Sequence, residues 1–531
     1  GDVYAHTGLT IDNDRWQYVI ESWGNNDTQP KLTKIGYNRY QLEIEPTIRE
    51  YYGASEDDYI TEMCLVFRSA ESNLQTRPDI FYDVHDESLY VAFINPQESQ
   101  LIVQLNDEIN VSWASNMADS TFLYIDDNLV YADTGSLFEY EFTIENTETT
   151  WIKAVAVDEL SMVADSFYYY VRSEPIYEVV PAGIIDGVNY TSDTSVVLSL
   201  FAPLKEFVFA IGEFNNWMLL DAGYMKVDSA ADRFWVEING LTPNEEYAYQ
   251  FLVDGTLRIS DPYAELVLDP WYDHLVPEEN YPNMKPYPFG KTDGLVAVLQ
   301  TNQPEYEWKH SDFIPPAETD LVVYELLIRD FVETHNFQTV MDTLPYLKKL
   351  GINALELMPV NEFDGASNWG YTPNHYFAVD KYYGTKTALK DLIDACHGEG
   401  IAVILDVVYN HATGISPYCM LYWDESNHRP AENSPFYNPR PKHDFNVFND
   451  MNHESLDSKK YIGRAIRYWL EEFNIDGYRF DLSKGFTQNN TLGDSDAMAQ
   501  YDQSRINILW AYADTAWSVN PDAYVILEHF A

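Results

Sequence analysis

The chain has 531 residues, with 32 Lys plus Arg against 85 Asp plus Glu, and carries a formal net charge of −53. That length predicts several domains with sizeable cores, and that charge repels nucleic acid and anionic membrane surfaces, which argues against both as partners. No apolar run approaches the ~18 residues of a membrane span, so no transmembrane segment is expected. Cys64, Cys396 and Cys419 are widely spaced and form no CxxC, which points to neither a zinc site nor a disulfide framework.

Residues 1–85 alternate apolar and polar positions in short runs, as in Trp16-Gln17-Tyr18-Val19-Ile20 and Tyr40-Gln41-Leu42-Glu43-Ile44, with turn clusters between them. They predict a small β-sandwich. Residues 86–178 repeat the pattern (Leu101 to Leu105, Thr121 to Ile125, Trp151 to Val155) and predict an immunoglobulin-like sandwich. Residues 179–290 carry further strand runs, Phe234 to Ile238 and Tyr247 to Val253, the second closed by a Val-Asp-Gly turn, and predict a third sandwich.

From about 320 the alternation becomes strand, helix, strand. Leu321 to Leu326, Ile352 to Met358, Ile401 to Val408, Tyr478 to Leu482 and Tyr524 to Leu527 read as five strands. Between them, Val340, Leu344, Leu347 and Leu350 give one helical stripe. Leu389 to Cys396 give a second, and Ile462, Ala465, Ile466, Trp469 and Phe473 a third. The long irregular stretch at 412–456 exceeds an ordinary loop and predicts a small inserted domain. The fold class is therefore multidomain: all-β sandwiches followed, over 291–531, by an α/β barrel of the TIM type, (β/α)8, with about its first five strands present. Five strands leave edges unpaired, so the chain is read as the front portion of a longer protein.

Three strand tips carry charge. They are Asp406-Val407-Val408-Tyr409-Asn410-His411, Arg479-Phe480-Asp481-Leu482-Ser483-Lys484 and Glu528-His529. In a parallel barrel, side chains from the carboxyl ends of several strands meet on one face. A carboxylate on one strand and a second on the next is the minimum equipment for cleaving a glycosidic bond. Asp481 and Glu528 fit that pair. Arg479, two residues before Asp481, lies on the same side of its strand and is expected to keep it ionised. Glu528 stands in an apolar strand, where burial would raise its pKa and suit it to proton transfer.

Together these segments resemble the α-amylase family of glycoside hydrolases, the clan of amylases, pullulanases, isoamylases and branching enzymes, over residues 320–531. The sandwich at 179–290 is similar to the one preceding the barrel in its branching and debranching members. The resemblance implies a retaining hydrolase of α-glucans, with Asp481 as nucleophile, Glu528 as acid/base and carboxyl groups about 5–5.5 Å apart. Endo-α-1,4 cleavage of the amylase type is the expected activity, and α-1,6 debranching or branching is the alternative within the family. A non-catalytic surface glucan-binding protein is the alternative of another class.

The resemblance also implies roles around the cut. His411 would bond the sugar 6-hydroxyl, Asp406 would support Arg479, Tyr371 of Trp369-Gly370-Tyr371 would stack under the sugar, and Lys484 would touch sugar beyond it. Trp16, Trp23 and Tyr40, as in starch-binding sandwiches of bacterial amylases, are candidates for a glucan-binding platform, with core packing the alternative. Trp217 and Trp235 are candidates too, with a sandwich that only braces the barrel as the alternative. A later His-Asp pair is expected downstream of Glu528. No cofactor is required. Against a structural calcium, to which Asn410 would give one ligand, stands Gly485, where calcium-dependent members carry His. An extracellular or cell-surface location is expected.

Overall fold

The structure is a computed structural model, and it describes every residue except 1, 13, 37, 38, 46, 56, 57, 71–73, 77, 78, 85–87, 367, 530 and 531. The chain forms two compact units, Gly1–Glu174 and Pro175–Ala531.

In the first unit the alternating runs become antiparallel sheets. Val3–Ile11 pairs with Ile60–Ser69 along its length, and Asp14–Gln17 and Ile80–Asp83 flank the pair. Further on, Ser120–Ile125, Thr150–Val157 and Met162–Val171 form the centre of a five-stranded sheet, and Glu108–Asn116 the centre of a three-stranded one. Period-2 alternation turns Val111 and Trp113 inward, both fully buried. Trp113 stacks on Phe138 at 5.2 Å, and truncating such a buried ring costs about 3–5 kcal/mol.

The second unit opens with two four- and five-stranded sheets. Gly187–Ser192, Ser195–Phe201, Arg233–Asn239 and Lys226–Asp228 form one; Val208–Gly212, Glu246–Val253, Val296–Gln300 and Val267–Leu268 form the path of the other. Val296–Gln300 lies beyond the boundary expected at 290, yet it pairs with Glu246–Val253 because its apolar run completes that sheet. At the other end, the Glu178 amide donates to the Val227 carbonyl, so residues assigned to the preceding sandwich pack here. Trp217 and Trp235 are 6% and 4% exposed, so they are core residues, and of the two readings of this sandwich a glucan platform on these rings is the one their burial excludes. Trp235 is fixed by its indole N–H, which donates to the Glu178 carbonyl at 2.9 Å.

Five parallel strands follow: β1 Val323–Leu326, β2 Ala354–Leu357, β3 Ala402–Val407, β4 Gly477–Phe480 and β5 Tyr524–Leu527, adjacent in chain order. Eight strands of a barrel are not seen among the described residues; this sheet has five. Helices connect them: α1 Phe337–Asp342, α2 Leu344–Leu350, α3 Lys386–Gly398, α4 Leu456–Phe473 and α5 Gln503–Val519. The stripe from Val340 to Leu350 is thus two helices. Pro345 sits in the first turn of α2, where a missing N–H costs nothing, but inside one longer helix it would break the ladder.

α4 starts at Ser455, whose hydroxyl accepts from the Asp457 amide, and ends at left-handed Asn474. Its buried face is Tyr461, Ile462, Ala465, Ile466, Trp469 and Phe473, spaced at one helical stripe. Between β3 and α4 the chain forms a short helix, Pro417–Leu421, and two small ladders, His411–Ala412 with Asn449–Asp450 and Trp423–Asp424 with Arg429–Pro430.

Candidate active site

The site is built on the carboxyl ends of β3, β4 and β5. Parallel register sets Asp406 beside Arg479 and Arg479 beside Ile526, so residues two positions apart share a face. Tyr478 and Phe480 are buried on the opposite side of β4, which commits Arg479 to the face it takes. Gly477 lets the strands approach: a Cβ there would lie 2.5 Å from the Tyr524 carbonyl oxygen.

One guanidinium gathers three carboxylates. Arg479 Nη1 donates to Asp406 Oδ1 and to Asp481 Oδ1, both at 2.9 Å, and Nη2 lies 2.8 Å from Glu528 Oε1. Beyond β4 the chain turns at Leu482, a non-glycine residue with φ 45°, a conformation that costs about 1 kcal/mol or more. That turn points the Leu482 amide at Glu528 Oε2, at 3.0 Å. Ser483 then holds the β5 tip, its amide and hydroxyl both donating to the Glu528 carbonyl at 3.0 and 2.8 Å.

The chain of contacts continues outward. The Tyr371 hydroxyl donates to Asp406 Oδ2 at 2.7 Å, and His411 Nε2 donates to the Tyr371 carbonyl at 2.9 Å. The carbonyl acceptor puts the His411 proton on Nε2, and burial lowers its pKa, which favours the neutral ring. At 2% exposure it keeps Nδ1 without a partner among the described residues.

Burial dominates the electrostatics. It pushes Asp406 up to about 7, with Arg479 and the Tyr371 hydroxyl opposing. It pushes Asp481 up to about 6, with Arg479 opposing and Glu528 adding to the rise. Arg479 thus favours the ionised form of Asp481, as its place on the strand leads one to expect, but desolvation is the larger effect and sets the direction of the shift. For Arg479 burial works against the charge, but the three carboxylates hold its proton more tightly than usual. Glu528 departs from its expected apolar setting. Its side chain is 28% exposed and both oxygens are engaged, because β5 has its tip at the open end of the sheet.

The remaining candidates divide. Trp369 is 57% exposed at the rim, while Lys484 is buried at 4%, with its carbonyl accepting from Arg505, so its backbone is tied inward. Trp23 is 44% exposed and meets His6 edge-on at 5.0 Å, and His6 stacks on half-buried Trp16 at 5.2 Å. Tyr40 lies on the hairpin Thr33–Gly36 with Arg39–Gln41. Sequence reasoning missed Glu325 and Glu356, which with Asp406 bring carboxylate oxygens within 4.8 Å of one another. The signal was there: each is an acid in an apolar strand, as Glu528 is. Burial pushes Glu356 up, and Glu325 adds to it.

Around Asn410, buried polar atoms without a hydrogen-bond partner among the described residues come together: Asn410 Oδ1, Asp450 Oδ1 and His443 Nε2. Asn410 and His443 are fully buried, and Nε2 of His443 lies 3.4 Å from Asp450 Oδ1. Calcium takes about six to eight oxygen ligands, and here an imidazole stands among the donors. A Cβ at Gly485 would meet Asn410 Oδ1 and lie 2.9 Å from His443 Nε2, so the larger His of calcium-dependent relatives has no room.

Comparison with known proteins places the site in context. Residues 329–447 match the alpha-amylase catalytic domain family. The chain is 30% identical over 264 residues to malto-oligosyltrehalose trehalohydrolase of Saccharolobus solfataricus, covering 49% of this chain and 43% of that protein. It is 32% identical over 232 residues to pullulanase of Bacillus subtilis, covering 35% and 30% respectively. It is 28% identical over 305 residues to the 1,4-alpha-glucan-branching enzyme of Equus caballus, covering 56% and 40%. The chain thus spans less than half the length of these curated relatives.

Proposed function

From strand tips that bring Asp481, Arg479 and Glu528 together, downstream of a segment (329–447) that matches the alpha-amylase catalytic domain, we propose that the protein cleaves or transfers α-glucosidic bonds in α-glucans with retention of configuration. The observation that carries this reading is the single guanidinium gripping both carboxylates, which brings nucleophile and acid/base to one sugar-sized locus. Asp481 attacks the anomeric carbon and forms a glycosyl ester as the glycosidic C–O bond breaks. Glu528, protonated, gives its proton to the departing oxygen, then takes one from the incoming water or sugar hydroxyl. Arg479 holds the two in register, and Asp406, itself fixed by Tyr371, holds Arg479.

The bond attacked is a second matter. Amylase-type α-1,4 cleavage is the sequence expectation. The relatives named pullulanase and branching enzyme favour action at α-1,6 links equally. Product analysis on amylose, pullulan and a branched glucan tests both, with proton NMR of the first product reading its anomeric form. Retention is expected. First products of inverted configuration, or turnover of none of the three glucans, would overturn the proposal.

A further inference from the structure

A cleft of about 210 Å³ lies in the second unit where the sandwich meets the helical side of the β/α segment, away from the strand tips. Its sandwich wall is formed by Tyr190, Glu246 and Gln300; its other wall by the first residues of α3 and by Arg464 of α4; Tyr281 closes one end. This volume falls below the roughly 300–1,000 Å³ of pockets for drug-sized ligands, and it suits one or two small rings. It also exceeds what a single water fills.

The lining chemistry selects among ligands. Lys386 is already spent, at 2.6 Å from Glu265 and 2.7 Å from Glu472. Arg464 is likewise engaged, stacked 4.2 Å over the Tyr263 ring and donating to the Asp186 carbonyl. The Glu246 carboxylate and the Tyr281 hydroxyl have no hydrogen-bond partner among the described residues, although both are half-buried. An anion entering here meets Glu246 and Glu265 without a free cation. A cation meets Lys386, Arg464 and the positive end of α3. A neutral compound rich in hydroxyls satisfies both: it donates to Glu246 and accepts from Tyr281 and from the second amide hydrogen of Gln303, whose Nε2 also donates to the Gln300 carbonyl at 3.1 Å. The rings of Tyr190, which is 49% exposed, and Tyr281 offer flat faces to the apolar faces of a pyranose.

We propose that this cleft is a second sugar site, taking a neutral mono- or disaccharide and separate from the catalytic strand tips. The choice of glucose-based probes rests on the proposed function; the neutral, hydroxyl-rich class does not. The full chain carrying Asp481→Asn is titrated calorimetrically with glucose, maltose and glucose 6-phosphate, with amide hydrogen exchange followed in parallel. Glucose or maltose should bind, slow exchange at 246–250, 281 and 298–303, and bind at least tenfold more weakly after Glu246→Ala. Gln303→Ala, on the rim, should weaken binding severalfold and serves where Glu246→Ala fails to fold. Wild-type kcat on glucans should survive both substitutions.

Protection confined to the strand tips, no binding of either neutral sugar, unchanged affinity in both variants, or tighter binding of the phosphate ester would each overturn the site. Binding in the cleft by a protein that turns over no glucan would uphold the site while removing the catalytic reading.

Discussion

Asp481 is held between two opposing effects, and its pKa tells which one wins. An ordinary aspartate titrates near 4, and contact with Arg479 alone would take it lower; burial takes it up to about 6. As nucleophile it must be ionised, so kcat/KM should fall as pH drops through about 6, and a profile flat down to pH 4.5 would show that desolvation is not the governing effect. Asp481→Asn removes the attacking oxygen without changing shape, and kcat should drop by several orders of magnitude while binding to starch persists. Near-normal turnover would sink the assignment. Arg479 contacts three carboxylates through a planar fork that lysine cannot copy. Arg479→Lys should therefore cost about 10²-fold or more in kcat, read in the full-length protein beside a circular dichroism spectrum that stays unchanged.

The elements carrying the site were largely legible because each obeys a local rule. Four of the five parallel strands fall within the apolar runs that predict them and β4 starts one residue before its run, at Gly477, while α3 and α4 fall on their stripes. That Arg479 and Asp481 share a face followed from period-2 alternation, whereas the reach of Glu528 to the same cation depends on the register that sets Ile526 beside Arg479. What escaped depends on tertiary context. α5 (Gln503–Val519) went unread because its outer face also carries apolar side chains, among them Trp510 at 56% exposure, which blurs the buried stripe of Ile508, Tyr512, Ala513 and Ala516. The hairpin Asn361–Phe363 with Pro373–Val379 is irregular in register and hid in what looked like a loop. That hairpin frames Gly370, whose φ is +88° and whose added Cβ would stand 2.5 Å from the Pro359 carbonyl oxygen. Gly370→Ala thus forces the loop to shift next to Tyr371, which braces Asp406. Misplacement of about 1 Å near the chemistry can cost ~10²-fold, so activity should fall one to two orders of magnitude with a loss of only a few degrees in Tm. Full activity in Gly370→Ala would show that the Tyr371–Asp406 contact is not needed.

At the scale of the whole molecule, the first unit is compact by itself and its Trp113 core closes without help from the second. Residues 1–174 produced alone should therefore fold. If Trp23 and Trp16 present a glucan platform, Trp23→Ala should reduce retention of that fragment on insoluble starch, whereas loss of folding in the variant would mark the ring as structural. Charge makes a second demand on the molecule. Acidic residues exceed basic ones by 53, so most carboxylates have no cation to meet and repel one another. The surface pairs that do form, such as Lys348 with Glu399 at 2.6 Å, contribute on the order of 0–1 kcal/mol each. Added salt weakens both, but repulsion among the surplus acids is the larger sum. Screening shortens the Debye length from ~30 Å at 0.01 M to ~3 Å at 1 M, so Tm should rise by several degrees between those sodium chloride concentrations. A Tm that falls over that range would mean that attractive pairs, and not the excess of carboxylates, set the electrostatic contribution to stability.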